Sequence, residues 1–523
     1  MNLVKATATI GGLTLISRIA GFIRDMLMAA FVGAGMAADA FLIAFRLPNL
    51  FRALFAEGAF SAAFVPMFNR QMGADGGDMN AAKRFAEDVL AVLLPVLVVF
   101  TVIMVIAAGP VVWALTGGFP DAGPDKFALT VDFTRLTFPY LLLISLVSLM
   151  GGILNSIGRF WVNAAAPILL NLALIAGLLF FNGADDVETA RVQALCVSIA
   201  GILQFLWLLW ACLAADIKLK LRWPHLNAKV KQLLKIIWPA ALGAGAVQFN
   251  LLISTALAAR FLEQGAVSFL YYADRLNQLP LGIIGIGVGT ALLPALSRHL
   301  GSGDDKAASH TQNRAIELVL ILTLPAAAAL AVSSVPIIRG LLEHGRFVAA
   351  DTSATAAALS AFALGLPAYV LIKVLTPGFY AREDTKTPVR IAVASMLVNL
   401  AGNLLLIWPL GHVGIALSTA LAAWVNAIAL WVVLRRRNHY AADARLKRAV
   451  WRLLVATAVM AATLLLLNPW LAPYTGGNII ARFVALAVLI GTGGIAYFVV
   501  ARLLGVFTLA ELRQQFSRKG RKA

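Results

Sequence analysis

The sequence predicts an all-α polytopic membrane protein of about fourteen transmembrane helices, built as two six-helix lobes in parallel repeat plus two C-terminal helices. Three observations carry that prediction. Hydrophobic residues make up 61% of the 523, charged residues only 13%, and mean hydropathy is +0.85, which leaves too little polar surface for a large water-soluble domain. The apolar residues fall into fourteen stretches, each long enough to cross a hydrocarbon core of roughly 30 Å. Lys and Arg gather in alternate loops, as expected where positive charge is retained on the cytoplasmic side.

The first stretch, 5–32, opens like a signal peptide with Lys5. Arg18, Arg24 and Asp25 interrupt it and no small-residue cleavage site follows, so it is read as a retained helix. The second, 36–68, is apolar but holds Asp39, Arg46, Arg52 and Glu57, with Pro48 and Pro66 as kink points. Stretches 85–116, 127–156, 160–182 and 189–214 complete a first lobe, 1–216. The basic segment 218–235 leads into 232–259, 267–297, 314–338, 352–380, 387–408 and 412–434, a second lobe over 217–437. Within it, Pro280 precedes Gly282, Gly285, Gly287 and Gly289, a flexible string inside a span with no phosphate-loop lysine. Stretches 449–469 and 481–505, with a basic tail, form the remainder, 438–523.

One set of loops carries Arg70, Lys83, Arg84, Arg159, the 218–235 segment, Arg298, Lys306, Arg314, Arg382, Lys386, Arg390, the 435–452 segment and the tail. The opposite set holds Lys126, Arg191, Arg260, Arg339, Arg346 and Arg482. Both termini are therefore expected in the cytoplasm. The net charge of +18 is spread over short loops, so it reflects membrane orientation and not nucleic-acid binding. Cys196 and Cys212 lie too far apart along one helix to bridge, and no Cys/His cluster suggests a metal. No phosphate loop, nucleophile elbow or HExxH occurs, which points to a transporter and away from an enzyme.

Sliding the chain against itself by 228 residues places Pro66 on Pro294, Arg70 on Arg298, Pro139 on Pro367 and Asn171 on Asn399. With a one-residue gap, Arg46 falls on Arg275. A shift of six spans keeps topology parallel, and such halves enclose a cavity around which they rock. Each ionised group at the centre of a span costs roughly 2.5 to 3.5 kcal/mol. Two readings stay open: the charges face a cavity and its substrate, or they pair and snorkel, with Arg18/Asp25 and Asp39/Arg46 sharing helix faces at seven-residue spacing. The intramembrane bases (Arg18, Arg24, Arg46, Arg52, Arg135, Arg275, Lys373) at least match the acids (Asp25, Asp39, Glu57, Asp132, Asp274, Glu317). That balance favours an anionic substrate; a cation exporter would line its cavity with acids and aromatics.

Several segments carry a resemblance: SRIAGFIRD at 17–25, GAGMAADAF at 33–41, RLPNLFRALFAEGAFSAAFVP at 46–66, YYADRLNQLP at 271–280, GTALLPALS at 289–297 and PGFYAREDTKTPV at 377–389. The chain resembles the MurJ (MviN) lipid II flippases of the multidrug/oligosaccharidyl-lipid/polysaccharide exporter superfamily. The resemblance implies a bacterial inner-membrane protein that moves lipid II from the cytoplasmic to the periplasmic leaflet by alternating access, with helices 13 and 14 beside a groove for the polyprenyl tail. It implies Arg18, Arg24, Arg52 and Arg275 at the pyrophosphate, because Arg forks bind phosphate oxygens bidentately. Asp25, Asp39, Arg46, Asn49, Glu57 and Lys373 would support the cavity; a snorkelling role for Lys373 stays open. Membrane lipids and cell-wall synthesis or division proteins are the implied partners. No cofactor is expected; coupling to the membrane potential or to a monovalent cation stays open. Asn399, Asn403 and Thr419, beside Ser418, would form the cation site, but no carboxylate supplies charge there, which favours interhelical amide packing. The alternatives are a flippase for another lipid-linked oligosaccharide and a MATE-like drug or cation exporter.

Overall fold

A computed structural model describes residues 3–52, 59–73, 79–119 and 123–506. Glu57 and the basic tail lie outside the described residues. Helices account for all regular structure among them. In order they are α1 (Leu3–Val32), α2 (Met36–Phe51), α3 (Ala59–Gly73), α4 (Met79–Ile106), α5 (Ala108–Thr116), α6 (Gly123–Thr137), α7 (Pro139–Ser156), α8 (Phe160–Phe180) and α9 (Asp186–Leu213). They continue with α10 (Ala228–Phe261), α11 (Ala266–Gly301), α12 (Asp305–Val332), α13 (Ser334–Leu342), α14 (Ala349–Ala363), α15 (Leu366–Tyr380), α16 (Lys386–Arg436), α17 (Ala444–Thr475) and α18 (Ile479–Leu503).

Each of the fourteen predicted stretches falls on a helix or on neighbouring helices. Among the described residues, nine helical runs are long and apolar enough to cross a membrane. The described parts of stretch 36–68 fall on α2 and α3. Stretches 85–116, 127–156, 314–338 and 352–380 each contain a helix break; Pro139 at the first turn of α7 and Pro367 in the first turn of α15 give the local reason in 127–156 and 352–380. Stretches 387–408 and 412–434 are the two arms of α16, interrupted at Gly411, whose φ of 56° and ψ of −134° suit only glycine.

Packing divides the chain into two compact units: residues 1–268 with 344–347, and 269–343 with 348–523. Helix α10, assigned by sequence to the second lobe, groups with the first unit. Its approach is fixed by polar clamps: Asn227 Nδ2 donates to Asp88 Oδ2 at 2.7 Å and Lys229 Nζ to Gln71 Oε1 at 2.5 Å.

Between apolar helices in lipid there is little hydrophobic drive, so close packing and interhelical hydrogen bonds decide association. The first unit uses both. A Cβ added at Gly177 of α8 would lie 2.6 Å from Cys196 Sγ on α9, and one at Gly152 of α7 would lie 2.9 Å from Phe64 of α3. Cys196 and Cys212 are both free and buried. Gln193 and Gln204 of α9 donate to the carbonyls of Leu174 and Ala166 on α8, at 3.2 and 2.8 Å. Such bonds contribute about 0.6 kcal/mol each on average.

In the second unit α17 and α18 share a core with α12, where Leu453, Met460, Leu464, Leu489 and Tyr497 are buried together. The Tyr497 hydroxyl donates to Ile321 O at 2.8 Å. Glu317 of α12, 5% exposed, accepts from Arg314 on its own helix and from Arg445 on α17, so the start of α17 is fixed by charge.

Candidate functional site

Helix α1 is apolar for most of its length, yet Arg24 is held in a defined place. Its Nε and Nη2 donate to Asp25 Oδ1 at 3.1 and 2.6 Å, and its Nη1 donates to Asn171 Oδ1 on α8 at 3.1 Å. Asn171 Nδ2 then donates back to Ser17 O at 3.0 Å, so one amide joins both helices. The expected Arg18/Asp25 pairing is not formed. The long Arg24 side chain curls onto its neighbour Asp25, which is buried, and Arg18 is exposed with no side chain bound to it among the described residues.

Asp39 also departs from expectation. It is wholly buried and accepts from Lys126 Nζ at 2.7 Å, Gly265 N at 2.8 Å, Ser268 N at 2.9 Å and Ser268 Oγ at 2.6 Å. Gly265 and Ser268 stand at the start of α11, where backbone donors have no partner within the helix, so Asp39 acts as a cap supplied from α2. Arg46 therefore does not pair with Asp39. It donates to Thr255 Oγ1 and Leu251 O on α10, because four donors in a dry site hold the carboxylate better than a residue two turns away. Lys126, expected in an outer loop, is instead 2% exposed on α6, 4.9 Å from the Phe119 ring centroid. Arg52 Nε donates to Asn49 Oδ1 at 3.1 Å, one turn back on the same face.

In the second unit Arg275 lies 5.0 Å from the Tyr271 ring centroid on α11, half-buried, and Lys373 is exposed on α15. Asn403 Nδ2 donates to Asn399 Oδ1 at 3.1 Å, Asn399 Nδ2 to Thr419 Oγ1 at 3.2 Å and Ser418 Oγ to Asn399 O at 2.8 Å. This amide chain joins the two arms of α16. Among the described residues no group of three His, Cys, Asp or Glu could hold a metal. An apolar cavity of about 420 Å³ lies between α12, α15, α16 and α17, lined by Leu320, Leu375, Ala427, Trp431 and Val450 with Lys447 at its edge. In the loop before α16, Asp384 accepts from Thr387 at the start of that helix, and the Thr387 hydroxyl and N–H, with Arg437 beyond them, hold its carboxyl well below the usual carboxylate range.

Sequence reasoning named Arg24 and Asp39 but missed three of their partners, Asn171 on Arg24 and Lys126 and Ser268 on Asp39. Asn171 had a signal, since it matches Asn399 in the internal repeat. Lys126 and Ser268 had none, because a lone lysine beside a helix start reads as a loop charge. The first unit thus presents guanidinium groups on α1 and α2 that carboxylates and amides orient, an arrangement suited to phosphate oxygens. The second presents an arginine over an aromatic face and a separate apolar cavity of a size that takes a hydrocarbon chain.

Comparison with known proteins agrees. Residues 28–485 match the family described as lipid II flippase MurJ. The protein named probable lipid II flippase MurJ of Rhizobium tropici is 46% identical over 524 residues, covering 99% of this chain and 97% of that one. The lipid II flippase MurJ of Burkholderia cenocepacia is 38% identical, covering 84% and 85%. A solved lipid II flippase MurJ in an inward closed conformation superposes with a TM-score of 0.77 at 24% identity, over 95% of this chain and 98% of that one. An inward-facing MATE transporter gives 0.67 at 15% identity, over 82% and 97%, which shows a shared fold. The chain belongs to the lipid II flippase MurJ family.

Proposed function

We propose that this chain, an integral inner-membrane protein, carries lipid II from the cytoplasmic to the periplasmic leaflet by alternating access, with both termini in the cytoplasm. The observation that carries the reading is the braced guanidinium of Arg24 on α1, held by Asp25 and Asn171. A group so oriented receives a pyrophosphate without first losing side-chain freedom, and the low dielectric strengthens the contact. Arg18 and Arg52 act with it in the first unit and Arg275 in the second. The apolar cavity beside α17 takes part of the polyprenyl tail, so the charged and hydrocarbon ends of one substrate are handled by separate surfaces. The amides of Asn399 and Asn403 are engaged with one another and with Thr419, which favours coupling to the membrane potential over a bound cation. Lipid II-consuming synthases of cell elongation or division are the protein partners this role requires.

The test is depletion of the protein followed by an assay of the leaflet in which lipid II accumulates. Accumulation on the cytoplasmic side supports the reading. An unchanged distribution, or accumulation of a different lipid-linked oligosaccharide, overturns it.

A further inference from the structure

Residues 214–227 run between α9 and α10 without regular structure, yet they are fixed in place. Glu87 of α4, 5% exposed, accepts from Lys220 N at 3.0 Å and from Arg222 Nε at 2.6 Å. Lys83 Nζ donates to Asp216 O at 2.7 Å, and Asn227 Nδ2 to Asp88 Oδ2 at 2.7 Å. Glu87 and Asp88 stand immediately before the charge-free run 89–106 of α4, apolar but for Thr101. The backbone they hold therefore lies at the level where that helix leaves the hydrocarbon layer.

On this pinned segment apolar and basic residues alternate: Ile217, Leu219, Leu221 and Trp223 against Lys218, Lys220 and Arg222. Ile217 is buried, but Leu221 is 68%, Trp223 87% and Leu226 56% exposed. Large apolar side chains left outward on a rigid segment need a surface. The acids nearby are committed, Glu87 to Arg222 and Lys220 N, Asp88 to Asn227, and Asp216 lies 3.7 Å from Lys218. Lys220, Lys231 and Lys235 are exposed with no partner among the described residues, so the segment carries a positive excess beside its aromatic group. Tryptophan at a helix-end level with basic neighbours is the chemistry of a lipid headgroup layer.

We propose that residues 217–227 form a strap seated on the anionic cytoplasmic leaflet, with Leu221, Trp223 and Leu226 in the interfacial layer and Lys220, Lys231 and Lys235 against lipid phosphates. The inference rests on the cytoplasmic orientation proposed above. Because Lys83 holds the strap before its first residue, Glu87 at its middle and Asp88 at Asn227, leaflet contact also fixes where α10 begins.

The test uses the full chain with Cys196→Ala, Cys212→Ala and Trp223→Cys, labelled at that position with an environment-sensitive fluorophore. It is placed in nanodiscs of phosphatidylcholine, alone or mixed equally with phosphatidylglycerol. The anionic discs are expected to give blue-shifted emission and reduced quenching by iodide. Lys220→Gln and Lys231→Gln should each weaken seating about five-fold, and 0.5 M salt should reverse it by screening. Equal, water-like emission in both lipids overturns the proposal. So does protection found in native membranes but absent from anionic nanodiscs, which would assign the surface to a protein. Nanodiscs expose both faces and no transport is measured, so failure of the strap is distinct from failure of the flippase reading or of the orientation.

Discussion

Lys126→Met should destabilise the first unit while leaving every predicted cavity arginine in place. Asp39 is fully buried and Lys126 is 2% exposed, so the substitution strands a carboxylate where water cannot reach it. Breaking a buried pair from one side costs about 3 to 5 kcal/mol. Three donors remain, from Gly265 and the backbone and hydroxyl of Ser268, which places the expected loss near the lower end, about 3 kcal/mol. Asp39→Asn leaves the ammonium stranded and should lose a comparable amount. The double variant Asp39→Asn/Lys126→Met removes both charges, and its loss should fall short of the sum by at least about 2 kcal/mol. Equilibrium unfolding in mixed micelles, followed by loss of helical signal, measures all four corners. Arg46→Ala, which the geometry assigns to Thr255, should add to Asp39→Asn within about 0.5 kcal/mol. A Lys126→Met variant within about 0.5 kcal/mol of the parent, or strong coupling of Arg46 to Asp39, would refute the reasoning.

Alanine at Arg18, Arg24, Arg52 or Arg275 should fail to complement a depleted strain at unchanged membrane levels, since losing a charge-assisted contact of about 1.5 to 3 kcal/mol slows transport roughly 10- to 100-fold. Lysine should restore only part, because it keeps the charge and loses the fork; normal growth with Arg24→Ala and Arg275→Ala together would end the cationic-cavity reading. Ala427→Trp should fill the apolar cavity of about 420 Å³ and reduce flipping of lipid II with normal insertion, as read by a leaflet-resolved lipid II assay; full transport would remove that cavity from the substrate path. The Thr387 contacts and Arg437 keep Asp384 ionised to lower pH in the fold than in the unfolded chain, so its stabilisation is complete above about pH 4 and is lost as pH falls through the folded value. Unfolding midpoints at neutral and acid pH should converge for the parent and Asp384→Asn as pH drops, and parallel curves would contradict the assignment.

The elements of the fold were legible because apolar periodicity, proline and loop charge are local signals. The breaks before α5, α13 and α15 were less so, since a kinked span and two helices read alike in hydropathy. Pairing was not legible, even along one helix. Seven-residue spacing suggested Arg18/Asp25 and Asp39/Arg46, but helix-surface proximity counts for a few tenths of a kcal/mol. It yields to a buried lysine or an amide on a neighbouring helix, which no local pattern reveals. The unit to which α10 belongs was hidden for the same reason: its clamps to Asp88 and Gln71 are long-range contacts.

The turn at Gly411 bears on how the chain enters the membrane. Two bonds cross between the arms of α16, from the Asn399 amide to Thr419 and from the Ser418 hydroxyl to Asn399 O, so either arm taken alone would bring polar groups into hydrocarbon without these partners. A reversal this short lets both arms leave the insertion machinery as one hairpin with those bonds already made. A side chain at Gly411 would obstruct that reversal, so its first effect would fall on biogenesis, as arrested or misoriented insertion of everything downstream, before any effect on transport could be measured.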